Sequence, residues 1–226
     1  MEKIFQSGQI AAATDNRHKI TEMMSIMKSF GLDIIPKSET AAAGLEVEET
    51  GTTFEENSRL KAEAVMRATG MTAVADDSGL VVDALGGAPG VYSARFSGEG
   101  ATDEKNNQKL LALMENVPDE NRQAKFVSVI TLAGPDGQII TARGECPGRI
   151  GRTPEGDNGF GYDPLFIPDG YSVTYAQLSA EEKNKISHRA KALEALRRRL
   201  LPGGVSSGGR SGSGADSAEA EDDTHC

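Results

Sequence analysis

Nowhere in the 226 residues is there an apolar run approaching the roughly 20 needed to cross a bilayer, and the N-terminus lacks the apolar core of a signal peptide. Nothing here points to a membrane or to export, and the expectation is a protein of the cytoplasm. Only two cysteines occur, Cys146 in a Gly/Pro-containing segment and Cys226 at the end of a polar stretch, so no disulfide framework is expected. Positive charge is short as well: the formal net charge is −10. Residues 203–226 hold five acids against one Arg, which leaves −6 for the rest. A general nucleic-acid binder needs a basic surface, and none is expected here. Lys191, Arg197, Arg198 and Arg199 are the one basic run that could argue otherwise. Internal repeats and a glycine-rich Walker loop are missing too.

What remains is the composition of a globular protein, 38% hydrophobic and 26% charged, long enough for one substantial domain or two lobes about a shared core. Residues 1–201 read as the folded body, and the Gly/Ser-rich, acidic stretch 202–226 reads as a disordered tail. Within the body, Ile10–Ala13 reads as a strand and Arg17–Phe30 as a helix with Ile20, Met23, Met24 and Met27 on one face, stopped by Gly31. Leu32–Pro36 suggests another strand. Thr53-Phe54-Glu55-Glu56 matches a capping box that opens a helix to about Ala68, with Phe54, Leu60, Ala64 and Val65 inward. Thr102–Val117 reads as a further helix. Phe126–Leu132 and Gln138–Ala142, joined by Gly134-Pro135-Asp136-Gly137, read as a hairpin. Ser179 opens one last helix reaching Leu200. Alternating helices and strands followed by a hairpin predict an α/β fold with a mixed central sheet and flanking helices.

Four stretches invite chemistry. In Ala75-Asp76-Asp77-Ser78-Gly79-Leu80 two acids follow an apolar strand, with Ser78-Gly79 read as the turn that ends it. Such strand ends face a crevice in α/β proteins, although an Asx turn explains the acids equally well. If the strand persists, Asp76 and Asp77 point to opposite faces. Thr14-Asp15-Asn16-Arg17-His18-Lys19 places a hydroxyl, an amide and a Lys at a strand-to-helix turn, either a phosphate cradle or an ordinary N-cap. In Gly156–Pro164, glycines flank Phe160 and free the backbone to set that ring against a flat ligand, or else Phe160 and Tyr162 tuck into the core. Lys183, His188 and Arg189 form a basic cluster near a helix start, either a site for an anionic ligand, which would explain cations there better than folding does, or a solvated charged face.

Taken together and in order, TDNRHK (14–19), EETGTTFEEN (48–57), ADDSGL (75–80), GGAPGVYSAR (86–95), GFGYDPLF (159–166) and SHR (187–189) resemble the inosine/xanthosine triphosphate pyrophosphatase family. The resemblance spans about Ile10 to Leu200. It implies an elongated α/β fold of two lobes around a deep cleft, a homodimer, and Mg2+-dependent hydrolysis of ITP, dITP or XTP to the monophosphate and pyrophosphate. It also implies Asp77 as proton acceptor and metal ligand, with Glu49 as its acidic partner and adjacent Glu48 as the alternative. Thr14, Asp15, Asn16, Arg17, His18, Lys19, Ser78 and Lys183 would handle phosphates and sugar, and Phe160, Gly161, Tyr162, Asp163, His188 and Arg189 the base. Asp15 stands where many relatives have a small residue, and an acid beside phosphates must point away or meet the metal. The same cleft in a non-catalytic module would bind purine nucleotides without cleaving them. Backbone N–H groups around Tyr162 and Asp163 are the candidate donors to a 6-oxo group on the base.

Overall fold

A computed structural model of the chain describes residues 8–28 and 31–200. The tail expected at 202–226 and the last two residues of the helix expected at 17–30 lie outside them. A six-stranded mixed sheet runs in the order β2-β1-β3-β4-β5-β6, with β1 Gln9–Ala12, β2 Asp33–Pro36, β3 Ala73–Val82, β4 Gln123–Ala133, β5 Ile139–Ile150 and β6 Phe166–Pro168. β1 pairs in parallel with β2 and β3, while β3, β4, β5 and β6 pair antiparallel. The flanking helices are α1 Arg17–Met27, α2 Phe54–Thr69, α3 Asp103–Leu113, α4 Ala180–Ile186 and α5 His188–Leu200.

Each helix begins where a side chain can take an orphan N–H. Asn16 caps α1 through Lys19 N, Thr102 caps α3 through Lys105 N, and Thr53 and Glu56 form a reciprocal box at α2. Alternation along β3 separates two environments. Val74 joins the apolar cluster under α1 and α5, whereas Ala73 and Ala75 join the one under α2. Farther along, Leu80 and Val82 enter a second core with Leu110, Phe126, Phe166 and Tyr175. The long strands β3, β4 and β5 therefore carry an apolar core at each end, and the polar middle of β3 lies between.

Several boundaries differ from expectation. Ser78-Gly79 is no turn: β3 continues to Val82. Gly79 serves a close approach, since a Cβ there would run into the Gly90 carbonyl and Ser93 Oγ. The hairpin strands are longer than the apolar runs, because pairing extends from Ala133↔Ile139 to Gln123↔Arg149. The single helix expected from Ser179 is two, broken where Ser187 adopts an extended backbone (ψ 155°) and caps α5 through Ala190 N. Leu60 is 39% exposed, and the inward face of α2 is instead Phe54, Asn57, Ser58, Ala62 and Val65.

The start of α5 is held against β5 at Gly144, where a Cβ would collide with the His188 carbonyl and the Ala192 N–H. Both obstacles are backbone and cannot rotate away. Gly144→Ala is expected to cost about 1–3 kcal/mol by overpacking, lowering the melting temperature by about 2–12 °C. A circular dichroism melt of this variant against the unsubstituted chain measures it.

Candidate active site

The two acids of β3 face opposite ways, as alternation requires. Asp76, buried, receives hydrogen bonds from Ser128 Oγ (2.6 Å) and Ser78 Oγ (2.9 Å) and pairs with Lys19 (2.8 Å) and Arg189 (3.1 Å). Burial alone would raise its pKa, but Arg189 and Lys19 outweigh burial and hold the carboxyl well below the usual range. Asp77 looks toward α2, where Lys61 Nζ lies 2.6 Å from its Oδ1, 2.8 Å from Glu49 Oε1 and 3.0 Å from the Asp76 carbonyl oxygen. Burial pushes the Asp77 carboxyl above its ordinary value despite Lys61. Burial also works against the Lys61 ammonium, yet Asp77 and Glu49 prevail and raise its pKa. Between the two adjacent glutamates, Glu49 is the one that joins Asp77. It also accepts from Arg95 Nη1 at 3.1 Å, while Glu48 is exposed.

The other side of β3 opens on a cavity of about 120 Å3, walled by Asn16, Lys19 and Ser78, by Phe160, Gly161, Tyr162 and Asp163, and by Lys183, His188 and Arg189. Gly159 (φ +79°) and Gly161 (φ +62°) supply the backbone that sets Phe160 there. The Phe160 ring is stacked on His18, centroids 5.2 Å apart and planes 21° apart, with Lys183 Nζ 5.1 Å from its centroid. Tyr162 is in the wall, while its hydroxyl donates to the Ser93 carbonyl at 2.9 Å. The Asp163 N–H is already bonded to the Phe160 carbonyl (3.2 Å), so it is no donor to a base, and the Tyr162 N–H remains as the backbone candidate.

The cluster Lys183, His188 and Arg189 does not wait for an anion to neutralise it. Lys183 pairs with Asp163 (2.6 Å) and Glu22 (3.1 Å), and Arg189 pairs with Asp76 and Glu22. His188 is stacked on Phe126 (4.7 Å, 12°), and burial, with Arg189 beside it, holds its pKa far below the ordinary value, so the imidazole is neutral. Two polar atoms on this wall, His188 Nδ1 and Arg189 Nε, are buried with no partner among the described residues. Such groups are costly unless something meets them.

Around the TDNRHK turn, Thr14 Oγ1 accepts from Asn16 N, and Arg17 and His18 open α1 on the surface. Asp15 turns aside to Lys37 (2.8 Å), which removes the conflict with phosphates. Sequence reasoning missed Lys61 and Glu22, which tie these elements together. Lys61 left one trace: it lies three and four residues from Ser58, Asn57 and Val65, on the face of α2 that is otherwise buried.

Asp77 Oδ2 is buried with no hydrogen-bond partner among the described residues, and Glu49 and Asp77 already share one cationic group, so hard oxygen donors converge here. Among the described residues no cluster of three or more His, Cys, Asp or Glu forms a fuller cage. Two carboxylates suit a cation that keeps several waters and takes further oxygens from phosphate, which is the habit of Mg2+.

Known proteins share this architecture. The Escherichia coli (strain K12) dITP/XTP pyrophosphatase is 48% identical over 190 residues, covering 83% of this chain and 95% of that protein. The Haemophilus influenzae dITP/XTP pyrophosphatase is 49% identical over 195 residues, covering 85% and 98%. Among solved structures, the Staphylococcus aureus Ham1 protein superposes with a TM-score of 0.76 at 44% identity, covering 85% of this chain and 97% of that one. A HAM1 protein from Coxiella burnetii gives 0.77 at 41%, covering 85% and 98%. The Ham1 family profile matches residues 10–199, from the first strand of the sheet to the last turn of α5, and the chain belongs to that family.

Proposed function

We propose that this chain is a dITP/XTP pyrophosphatase, hydrolysing ITP, dITP and XTP to the monophosphate and pyrophosphate and so clearing deaminated purines from the nucleotide pool. The observation that carries the reading is the two-sided middle of β3. Asp77 on one side meets Lys61 and Glu49, a combination suited to phosphate and metal, while Asp76 on the other braces Arg189 and Lys19 in the wall of the cavity that Phe160 lines.

The phosphate end orients the chain for attack. Lys61 carries a charge able to meet phosphate oxygens, and the capped start of α1, with Lys19, presents N–H groups and a cation to the same ligand. Asp77 takes the proton of the attacking water. Burial raises its carboxyl, which improves it as a base, although an Asp alone remains weak. Mg2+ held by Glu49 and Asp77 would supply acidification of water and neutralisation of phosphate charge. At the other end Phe160 offers a face for stacking, worth about 1–3 kcal/mol per base. The Tyr162 N–H and the buried Arg189 Nε are candidate donors to a 6-oxo group. An adenine 6-amino group would meet those donors with donors of its own, and such mismatches reject strongly.

Homodimer formation and a cytoplasmic setting belong to this proposal through the family resemblance. No helix among the described residues is long and apolar enough to cross a membrane. Sedimentation velocity separates monomer from dimer. Activity is tested by coupling pyrophosphate release to phosphate detection for ITP, dITP, XTP, GTP and ATP, with and without Mg2+. The expected result is a kcat/KM for ITP at least about 100-fold above that for ATP, abolished by a chelator. Equal rates on ITP and ATP, or tight ITP binding without cleavage, would contradict it.

A further inference from the structure

The loop that carries Phe160 is gripped from α3, an element to which neither the motifs nor the proposed chemistry assigns a role. Gly161 is held on both sides of its Cα: its N–H donates to Asp103 Oδ2 at 2.7 Å, and its carbonyl accepts from Asn107 Nδ2 at 2.9 Å. Asp103 and Asn107 are one helical turn apart, so a single face of α3 presents an acceptor and a donor to the two successive peptide groups that flank the Gly161 Cα. That face is itself fixed. The buried Asn106 accepts from Ser97 N (2.7 Å) and donates to the carbonyls of Ser93 and Ala94 (both 3.3 Å), tying α3 to the segment Gly90–Arg95. Inside the loop a further bond, Phe160 N to Asp163 Oδ2 at 2.9 Å, sets the residue next to the clip.

The chemistry of the clip is not what stability alone selects. Asn107 Oδ1 is buried without a partner among the described residues, a cost the amide carries while its other end serves Gly161. Gly161 is the residue immediately after Phe160, so the orientation of its peptide fixes the Cα–Cβ direction of the ring.

We propose that Asp103 and Asn107 are positioning residues for the base: they act through Gly161 to hold Phe160 at the cavity. This rests on the reading of that cavity as the base site. The first test does not depend on that reading. Hydrogen–deuterium exchange of the full chain should show residues 159–163 exchanging at least tenfold faster in Asp103→Ala and Asn107→Ala. In Asp103→Asn, whose amide oxygen replaces the lost acceptor, exchange should stay within about twofold of the unsubstituted chain. Unchanged exchange in both alanine variants overturns the clip.

The second test is kinetic. Both alanine variants should raise KM for ITP at least fivefold with kcat within twofold, Asp103→Asn should restore KM, and in a Phe160→Ala background Asp103→Ala should add nothing. Full additivity there, or a fall in kcat at constant KM, overturns the role assigned to the clip. Loss of ITP cleavage by the unsubstituted chain would instead overturn the proposed function, and the exchange result would still stand. Asp103 also lies in the first turn of α3, and Asp103→Asn removes that charge as Asp103→Ala does while keeping the acceptor, so it controls for a mere loosening of the helix start.

Discussion

Asp77→Asn is expected to keep the fold and to lose at least about 1,000-fold in kcat on ITP, within the range attributed to a lost general base. The substitution preserves size and removes both the proposed proton acceptor and one of the two carboxylates, Asp77 and Glu49, that meet at Lys61. The fold should tolerate it for an electrostatic reason. Asp77 has a folded-state pKa raised by burial, so its favourable contribution belongs to the protonated form, is complete below the unfolded pKa, and is lost as pH rises through the folded value. At neutral pH the ionised carboxylate is thus a mild burden that Asn relieves. Lys61 retains Glu49 and the Asp76 carbonyl as partners. Pyrophosphate release across pH, with thermal melts of both proteins, checks both halves. Retained turnover in Asp77→Asn would remove Asp77 from the mechanism.

Its neighbour has the opposite profile, with the larger effect on stability. Asp76→Ala strands Arg189, which is 1% exposed, and Lys19 without their shared buried carboxylate. Breaking a buried pair by deleting one partner costs about 3–5 kcal/mol, which for a domain of this size lowers the melting temperature by about 6–20 °C. The pH dependence has the reverse sign to that of Asp77. Arg189 and Lys19 overcome burial and depress the Asp76 pKa, so its contribution is present above the unfolded value and is lost only as pH falls through the depressed folded value. The stability difference between the unsubstituted chain and Asp76→Asn should therefore hold across neutral and mildly acid pH and collapse below the ordinary carboxylate range. A difference that vanished already near pH 6 would contradict the assigned network.

These opposed behaviours of adjacent residues were legible in the sequence through one rule, the alternation of a strand. The rule places Asp76 and Asp77 on opposite faces once the strand is known to persist. What alternation could not supply is that it persists. Gly79 has the composition of a turn, and its actual reason, the pressing of Gly90 and Ser93 against the strand, exists only when residues far apart in sequence meet. Lys61 was hidden likewise: a Lys in a charged helix is ordinarily solvated, and only the buried face it shares with Asn57, Ser58 and Val65 hints otherwise. The basic cluster at 183–189 was located but misjudged, because its counter-charges come from Glu22 on α1, Asp76 on β3 and Asp163 in the aromatic loop. Local motifs thus marked the elements that meet at the candidate site, and long-range pairing decides which of their charges are already neutralised within the chain.

The central claim is cleavage between the α and β phosphates of a deaminated purine nucleotide, and phosphorus NMR of ITP incubated with the full chain and Mg2+ tests it most directly. The account predicts resonances of IMP and pyrophosphate growing together in equal amounts, with none from IDP, and no change when ATP replaces ITP over the same time. Formation of IDP with orthophosphate, or an unaltered ITP spectrum, would contradict it.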